Sequence, residues 1–235
     1  MKLPECLLPG AEERAVQVLR AYYRPHQGAR GYTGALFDGF DPNASRTANA
    51  NCFTSDDLIA VTFLSVDVPP LAAHEILVNQ RARFSALLDH LKPDLDFADV
   101  PDVSEDAFWP AWDLWRALID VHGLGPTTVS KLMARKRPRL IPIFDSVIKQ
   151  YVLGGRSDHW DAMHGALNSH HANGETLAEY LRRLHAMAGM APDVTSLRVF
   201  DVLAWMEGTG NTARRRSRAA AFRRHRPGVS ALAQT

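Results

Sequence analysis

An all-α, mainly helical fold is what this sequence predicts, with one long irregular loop that has room for short β pieces near residues 32–37. Apolar residues recur at three- and four-residue steps in most segments outside 24–51. Prolines and glycines fall between those segments, at 69–70, 123–126, 138, 154–155 and 192. Hydroxyl and acidic residues open them, as at Thr54-Ser55-Asp56-Asp57 and Ser104-Glu105-Asp106.

In chain order, residues 11–23 read as a helix with Ala15, Val18, Leu19 and Tyr22 on one stripe and Glu12 and Glu13 in its first turn. Pro25 stops it. Residues 24–51 hold Gly28, Gly31, Gly34, Gly39 and Pro42 and lack helical periodicity, and a loop of that length is usually functional or flexible. Tyr32, Arg46, Asn49 and Asn51 are residue types that stack on and hydrogen-bond a base. The plainer reading is that the loop's aromatics pin it to the body while its asparagines cap turns. A capped helix follows, with Leu58, Ile59, Val61, Phe63 and Leu64 surrounding it, so it belongs in the core.

Two helices are expected at 71–78 and 80–91, then an acidic linker at 93–101. Phe108, Trp112 and Trp115 could stack on bases, but their four- and three-residue steps are those of an amphipathic helix packed into a core. That helix breaks at Gly123-Leu124-Gly125. A second starts at Pro126, where proline loses no intrahelical donor, and runs to about residue 135 before Pro138. Helices at 145–153, 158–167, 175–188 and 195–207 complete the chain, the last almost wholly apolar. The expected organisation is a helical region over 1–103 packed with a second over 104–210 as one globular unit, followed by a basic tail over 211–235.

Composition limits the function classes. A chain of 235 residues, 46% hydrophobic, can bury a full core. Its apolar runs are too short to span a bilayer, and its first residues lack the layout of a secretion signal, so no membrane partner and a cytoplasmic location are expected. With only Cys6 and Cys52, no iron-sulfur cluster or four-thiolate zinc site can be built from cysteines, and His159 and His164 are five apart rather than three or four. No metal and no cofactor is expected. Seven arginines between 214 and 226 leave 20 basic against 26 acidic residues in the rest, a basic arm on an acidic body. Such an arm fits a salt-sensitive nucleic-acid tether or a solvated, frayed terminus that could also fold against the acidic body.

The Gly123-Leu124-Gly125 hairpin presents the bare amides of the next helix, which favour an anion. Lys131 and Arg135 share a face of that helix, completing what reads as a clamp on a DNA backbone. The run Val121-His122-Gly123-Leu124-Gly125-Pro126-Thr127-Thr128 resembles the helix-hairpin-helix motif of the DNA glycosylase superfamily, and Pro142-Ile143-Phe144-Asp145-Ser146-Val147 is similar to the segment that carries its aspartate. The match covers about residues 112–151, and the chain as a whole resembles a bacterial family with no assigned chemistry.

That resemblance implies an all-α, glycosylase-like fold and duplex DNA as partner. It implies strand contacts through Gly123, Gly125, Thr127, Thr128, Lys131 and Arg135, and Asp145 as the catalytic carboxylate, with the Tyr32 to Asn51 loop a candidate for base contact. Val129 stands where the motif has a small residue, and Thr127 where bifunctional members have a Schiff-base lysine. The implied activity is therefore monofunctional hydrolysis of an N-glycosidic bond. The sober readings stay open: Asp145 as a helix N-cap, and the whole as a non-catalytic DNA-binding or structural helical protein.

Overall fold

Each apolar-periodic segment forms a helix in the computed structural model, which describes residues 1–24, 31–171 and 174–211. In order these are α1 (Glu12–Tyr22), α2 (Ser55–Thr62), α3 (Pro70–His74), α4 (Arg81–Asp89), α5 (Trp109–Ile119), α6 (Pro126–Lys136), α7 (His159–Leu167), α8 (Leu177–Ala188) and α9 (Ser196–Gly208). Short 3-10 turns lie at Glu5–Leu7, Thr33–Leu36 and Phe97–Asp99, and wider π turns at Glu75–Asn79 and Ile148–Val152. The fold is all-α. Among the described residues, β pairing is confined to one antiparallel bridge between His170 and Thr176. The β pieces expected near 32–37 are a 3-10 turn instead: Ala35 donates to the Tyr32 carbonyl and Phe37 to that of Gly34, so the backbone bonds to itself. The arginines at 214–226 lie outside the described residues.

Several helix starts are capped by side chains. The Thr54 amide donates to Asp57 Oδ2 at 2.9 Å, and Thr176 and Glu179 bond reciprocally at 2.7 and 3.2 Å. The helices form two groups. In one, α6 packs on α2 and α5, and α5 on α4; in the other, α1, α8 and α9 pack on one another, with α9 also against the π turn at Ile148–Val152. A single apolar cluster from Cys6 to Met206 runs through both. The tryptophan cluster is core: Trp160 is fully buried, with Trp112, Phe108 and Trp115 rings 4.4, 5.4 and 5.9 Å away.

The pillar of the first group is α6, buried at every residue from Thr128 to Lys136 although three of those are basic. Arg135 Nε reaches Asp57 Oδ1 at 3.2 Å, and its other nitrogens donate to the Phe37 carbonyl at 2.8 Å and to that of Phe40. Lys136 Nζ meets the other oxygen of Asp57 at 2.7 Å. Arg137, next along, donates to the carbonyls of Leu88, Leu91 and Ala50 at 2.6–2.8 Å. The long loop is thus held by cations from beneath, its carbonyls offsetting the several kcal/mol that burying each charge costs.

Breaking one member of a buried ion cluster leaves the others unpaired. Arg135→Ala and Asp57→Ala are each expected to lower the unfolding free energy by about 3–5 kcal/mol in chemical denaturation. Arg139→Ala, in an exposed pair with Asp96, is expected to change it by less than about 1 kcal/mol.

His159 is buried against Phe144, ring centroids 4.6 Å apart, and burial pushes its imidazole from 6.5 down to about 4. The unfolded chain takes up this proton first, so the stability the neutral ring contributes is complete above 6.5 and lost as pH falls toward 4. Between pH 7 and 4 the melting temperature of His159→Leu is expected to fall less than that of the unaltered protein.

Candidate functional site

The chain enters the site through an extended run of buried residues, Leu140 to Phe144, stitched to α6 by Ser130. The Ser130 hydroxyl accepts from the Phe144 amide at 3.0 Å and lies 2.9 Å from the Phe144 carbonyl. Asp145 follows, at the mouth of the next helical turn. Its Oδ1 accepts from the Ile148 amide at 2.9 Å, so it is an N-cap. Its Oδ2 lies 3.9 Å from Lys131 Nζ, and 12% of the side chain is exposed.

That exposed part faces a cavity of about 270 Å³. The cavity lies at the seam between the two helix groups. Its walls come from α6 (Thr127, Lys131), α9 (Arg198, Asp201, Trp205), α1 (Tyr22), the 3-10 turn after Tyr32, and the stretch from Phe63 to Val66 that follows α2. Thr33, Ser65 and Ser146 are exposed among the lining residues, which opens the cavity to solvent there. Asp145 is therefore both a cap and part of a cavity wall.

Lys131 is anchored by donation to the Leu64 carbonyl at 2.8 Å. Burial pushes its ammonium below the usual lysine value, and the Asp145 carboxylate opposes that shift. Across the cavity, Arg198 is engaged through all three of its nitrogens. It donates to Asp38 at 3.2 Å, Tyr22 Oη at 2.8 Å, the Gly34 carbonyl at 2.9 Å and Asp201 Oδ2. Asp201 Oδ1 is buried and has no hydrogen-bond partner among the described residues. Burial, with Asp145 adding to it and Arg198 opposing, pushes the Asp201 carboxyl up to about 6. Tyr32 stacks on Tyr22 at 5.2 Å, and Trp205 meets Tyr32 edge-on at 5.8 Å, giving one aromatic wall.

The residues singled out from sequence divide into three groups. Gly123 and Gly125 are exposed, and Gly123 takes the left-handed conformation (φ 88) that glycine allows at the hairpin. Thr127, Lys131, Asp145 and Tyr32 converge on the cavity. The remainder turn elsewhere, and here the expectation is corrected. Thr128 is buried in α6, and Arg135, 1% exposed, is bound to Asp57 and two carbonyls, so it cannot also hold a phosphate. Arg46 donates to the Asp38 and Arg135 carbonyls, Asn49 to the Ser45 carbonyl and Asn51 to Asp89, which spends them on pinning the loop. Lys131 points into the cavity rather than outward as part of a clamp.

Arg198, Asp201 and Tyr22 were not singled out from sequence. One signal was there: two opposite charges three residues apart in an otherwise apolar helix, a pattern of a buried pair rather than a wet face. Among the described residues no group of three or more His, Cys, Asp or Glu is arranged to hold a metal ion.

Gly34 shows how tightly the aromatic wall is set. A Cβ there would lie 2.0 Å from Tyr22 Oη, the hydroxyl that Arg198 holds. Gly34→Ala is expected to displace Tyr22 and destabilise the protein by about 1–3 kcal/mol, measured by denaturant melting. With Tyr22→Phe as background the cost should shrink, because the clashing atom is gone.

A family model described as "Family of unknown function (DUF6308)" matches residues 15–208. No curated protein and no solved structure matches the chain.

Proposed function

Taking as premise that the chain belongs to the DUF6308 family, we propose that it binds duplex DNA through the Gly123–Gly125 hairpin and acts as a monofunctional DNA N-glycosylase with Asp145 as its catalytic carboxylate. One observation carries this. Asp145 faces an open cavity whose wall also includes Thr127, two residues beyond the exposed hairpin on the helix that the hairpin starts. A strand gripped at the hairpin would therefore pass the mouth of a pocket with a carboxylate in its wall. A nucleotide extruded from the stack would enter with its base leading and its sugar beside Asp145.

The chemistry follows from charge. The C1′–N bond breaks with its electron pair leaving on the base, and positive charge builds on the sugar ring. A fixed carboxylate stabilises that charge as it forms. Water then adds at C1′, and the products are the free base and an abasic site. Asp145 suits the role because both its oxygens are oriented, one by the Ile148 amide and the other toward Lys131. Thr127 supplies no amine, and the Lys131 ammonium is engaged by Asp145 and the Leu64 carbonyl, so strand cleavage through a Schiff base is not part of the proposal.

A non-catalytic DNA-binding role is the second reading. Its support is that the cap alone accounts for Asp145. Duplexes carrying uracil, oxidised guanine or alkylated bases, treated with alkali after incubation, separate the two. Turnover should leave abasic sites on at least one, Asp145→Asn should remove it while duplex affinity stays within about twofold, and borohydride should trap no covalent complex. Asparagine is also a good N-cap, so this variant tests the charge with the helix start retained. Duplex binding without abasic sites on any substrate favours the second reading, and no salt-sensitive binding at all overturns both.

A further inference from the structure

We propose that the seven arginines between 214 and 226 supply the electrostatic grip on duplex DNA, holding the phosphate backbone that runs past the cavity bordered by Asp145. This rests on the DNA-binding reading of the hairpin and is independent of whether a glycosidic bond is cut.

The inference starts from charge that the hairpin helix does not offer. Affinity for a duplex backbone comes largely from cations that displace counterions condensed on the phosphates. Arg135, Lys136 and Arg137, at the end of α6, are buried and bound to Asp57 or to backbone carbonyls, and Lys131 is turned into the cavity against Asp145 and the Leu64 carbonyl. None of the four stands on the outer surface. The exposed hairpin has main-chain amides, which orient a phosphate but add no net charge. Outside the seven arginines the chain has 20 basic against 26 acidic residues, whereas residues 212–235 hold no Asp or Glu. The charge that a polyanion requires is therefore concentrated after α9.

Where α9 ends decides what this charge can reach. Trp205, near its end, lines the cavity, as does Val147, two residues after Asp145. Gly208, the last residue of α9, lies directly on Val147: a Cβ there would be 2.5 Å from Val147 Cγ1. Asn211, where the described chain stops, follows at once, its side-chain amide donating to the Thr209 hydroxyl at 2.7 Å. A peptide spans at most about 3.6 Å per residue, so connectivity alone keeps Arg214 within about 11 Å of Asn211. The first arginines are thus tied to the rim of the cavity, and Arg226 can reach up to roughly 50 Å along a duplex, beyond one helical turn. The acidic body is the competing partner in the same chain. A duplex presents one negative charge per about 1.7 Å of axis with no cations interspersed, so it is the stronger attractor.

The test is fluorescence anisotropy of a labelled, undamaged duplex of about 20 base pairs, titrated with the full chain from about 50 to 300 mM NaCl. For the unaltered protein the logarithm of affinity is expected to fall with the logarithm of salt at a slope between about −4 and −6, the value for four to seven neutralised phosphates. Replacing all seven arginines with glutamine should make that slope shallower by at least about 3 and weaken binding at the lowest salt by about a hundredfold or more. Replacing all seven with lysine should keep the slope within about 1 of the original, with circular dichroism checking the fold of both variants. If the glutamine variant does not fold, the slope of the unaltered protein decides, and one shallower than about −2 overturns the proposal. A glutamine variant that keeps the full slope places the grip on the body, and one that binds more tightly places the arm on the acidic body. Either result overturns this proposal and leaves the DNA-binding reading in place. Absence of duplex binding by the unaltered protein overturns both. Arginine-dependent binding in a protein that forms no abasic site on any damaged duplex would sink the glycosylase reading and leave this one standing.

Discussion

The structure depends on three consecutive cations buried at the end of one helix. Arg135, Lys136 and Arg137 leave α6 with no wet face. What keeps them inside is Asp57 and the backbone carbonyls of the long loop, of α4 and of the turn after it. The dependence is mutual. A loop of this length has many carbonyls with no helical partner, and buried carbonyls need donors. Guanidinium groups, each with five donors in a fixed fork, supply more per side chain than any other residue. Lysine would not serve at Arg137, because the Ala50, Leu88 and Leu91 carbonyls it reaches come from two separate segments of chain.

Fixing the loop has a consequence for the seam between the helix groups. Asp38, at the start of the pinned stretch, receives Arg198 from α9, so the same loop that is tied to α6 on one side is tied to α9 on the other. The groups are therefore joined along one flank by ion pairs, while Asp145, Lys131 and Asp201 border the space left between them. An apolar seam would be the more stable arrangement, since replacing buried charges with packed hydrophobic residues is often neutral or favourable. Here the charges converge on a cavity, and Asp201 Oδ1 has no hydrogen-bond partner among the described residues. Local departures of this kind from the rules of stability are typical of sites that bind or react.

Much of the helical framework could be read from the chain, because apolar periodicity and capping residues act locally. The capping pair at Thr54 and Asp57, the break at Gly123 and the proline start of α6 depend on a few neighbouring residues and are found where those residues are. The direction of long basic side chains is different. Lys131 and Arg135 lie four apart on a helix whether they face water or the interior, and only their distant partners, Leu64 and Asp57, decide. A charged run in α6 thus looks like a DNA clamp from sequence and proves to be a set of internal anchors. Tyr32, Arg46, Asn49 and Asn51 illustrate the same limit. One loop carries all four, yet Arg46 reaches the remote Arg135 carbonyl and Asn51 the remote Asp89, while Asn49 bonds within the loop to Ser45, and Tyr32 alone of the four lines the cavity.

Asp145 brings the local and the remote together. As a cap it is determined by its own turn, and the amide it accepts from is three residues away. As a wall of the cavity it depends on Lys131 in α6 and on α9 across the seam. The turn it opens is a π turn at Ile148–Val152, and π turns inside helices are frequent at functional sites because they shift the side chains that follow. The packing of this turn against α9 sets Asp145 and Asp201 on walls of one cavity. Burial, to which the Asp145 carboxylate adds and which Arg198 opposes, lets Asp201 hold its proton up to about 6. Asp145 keeps part of its side chain in the opening and has an amide and an ammonium as neighbours. The unequal surroundings separate their roles. The enclosed group is held by Arg198, and the group at the opening is the one placed to meet charge that develops on whatever the cavity admits.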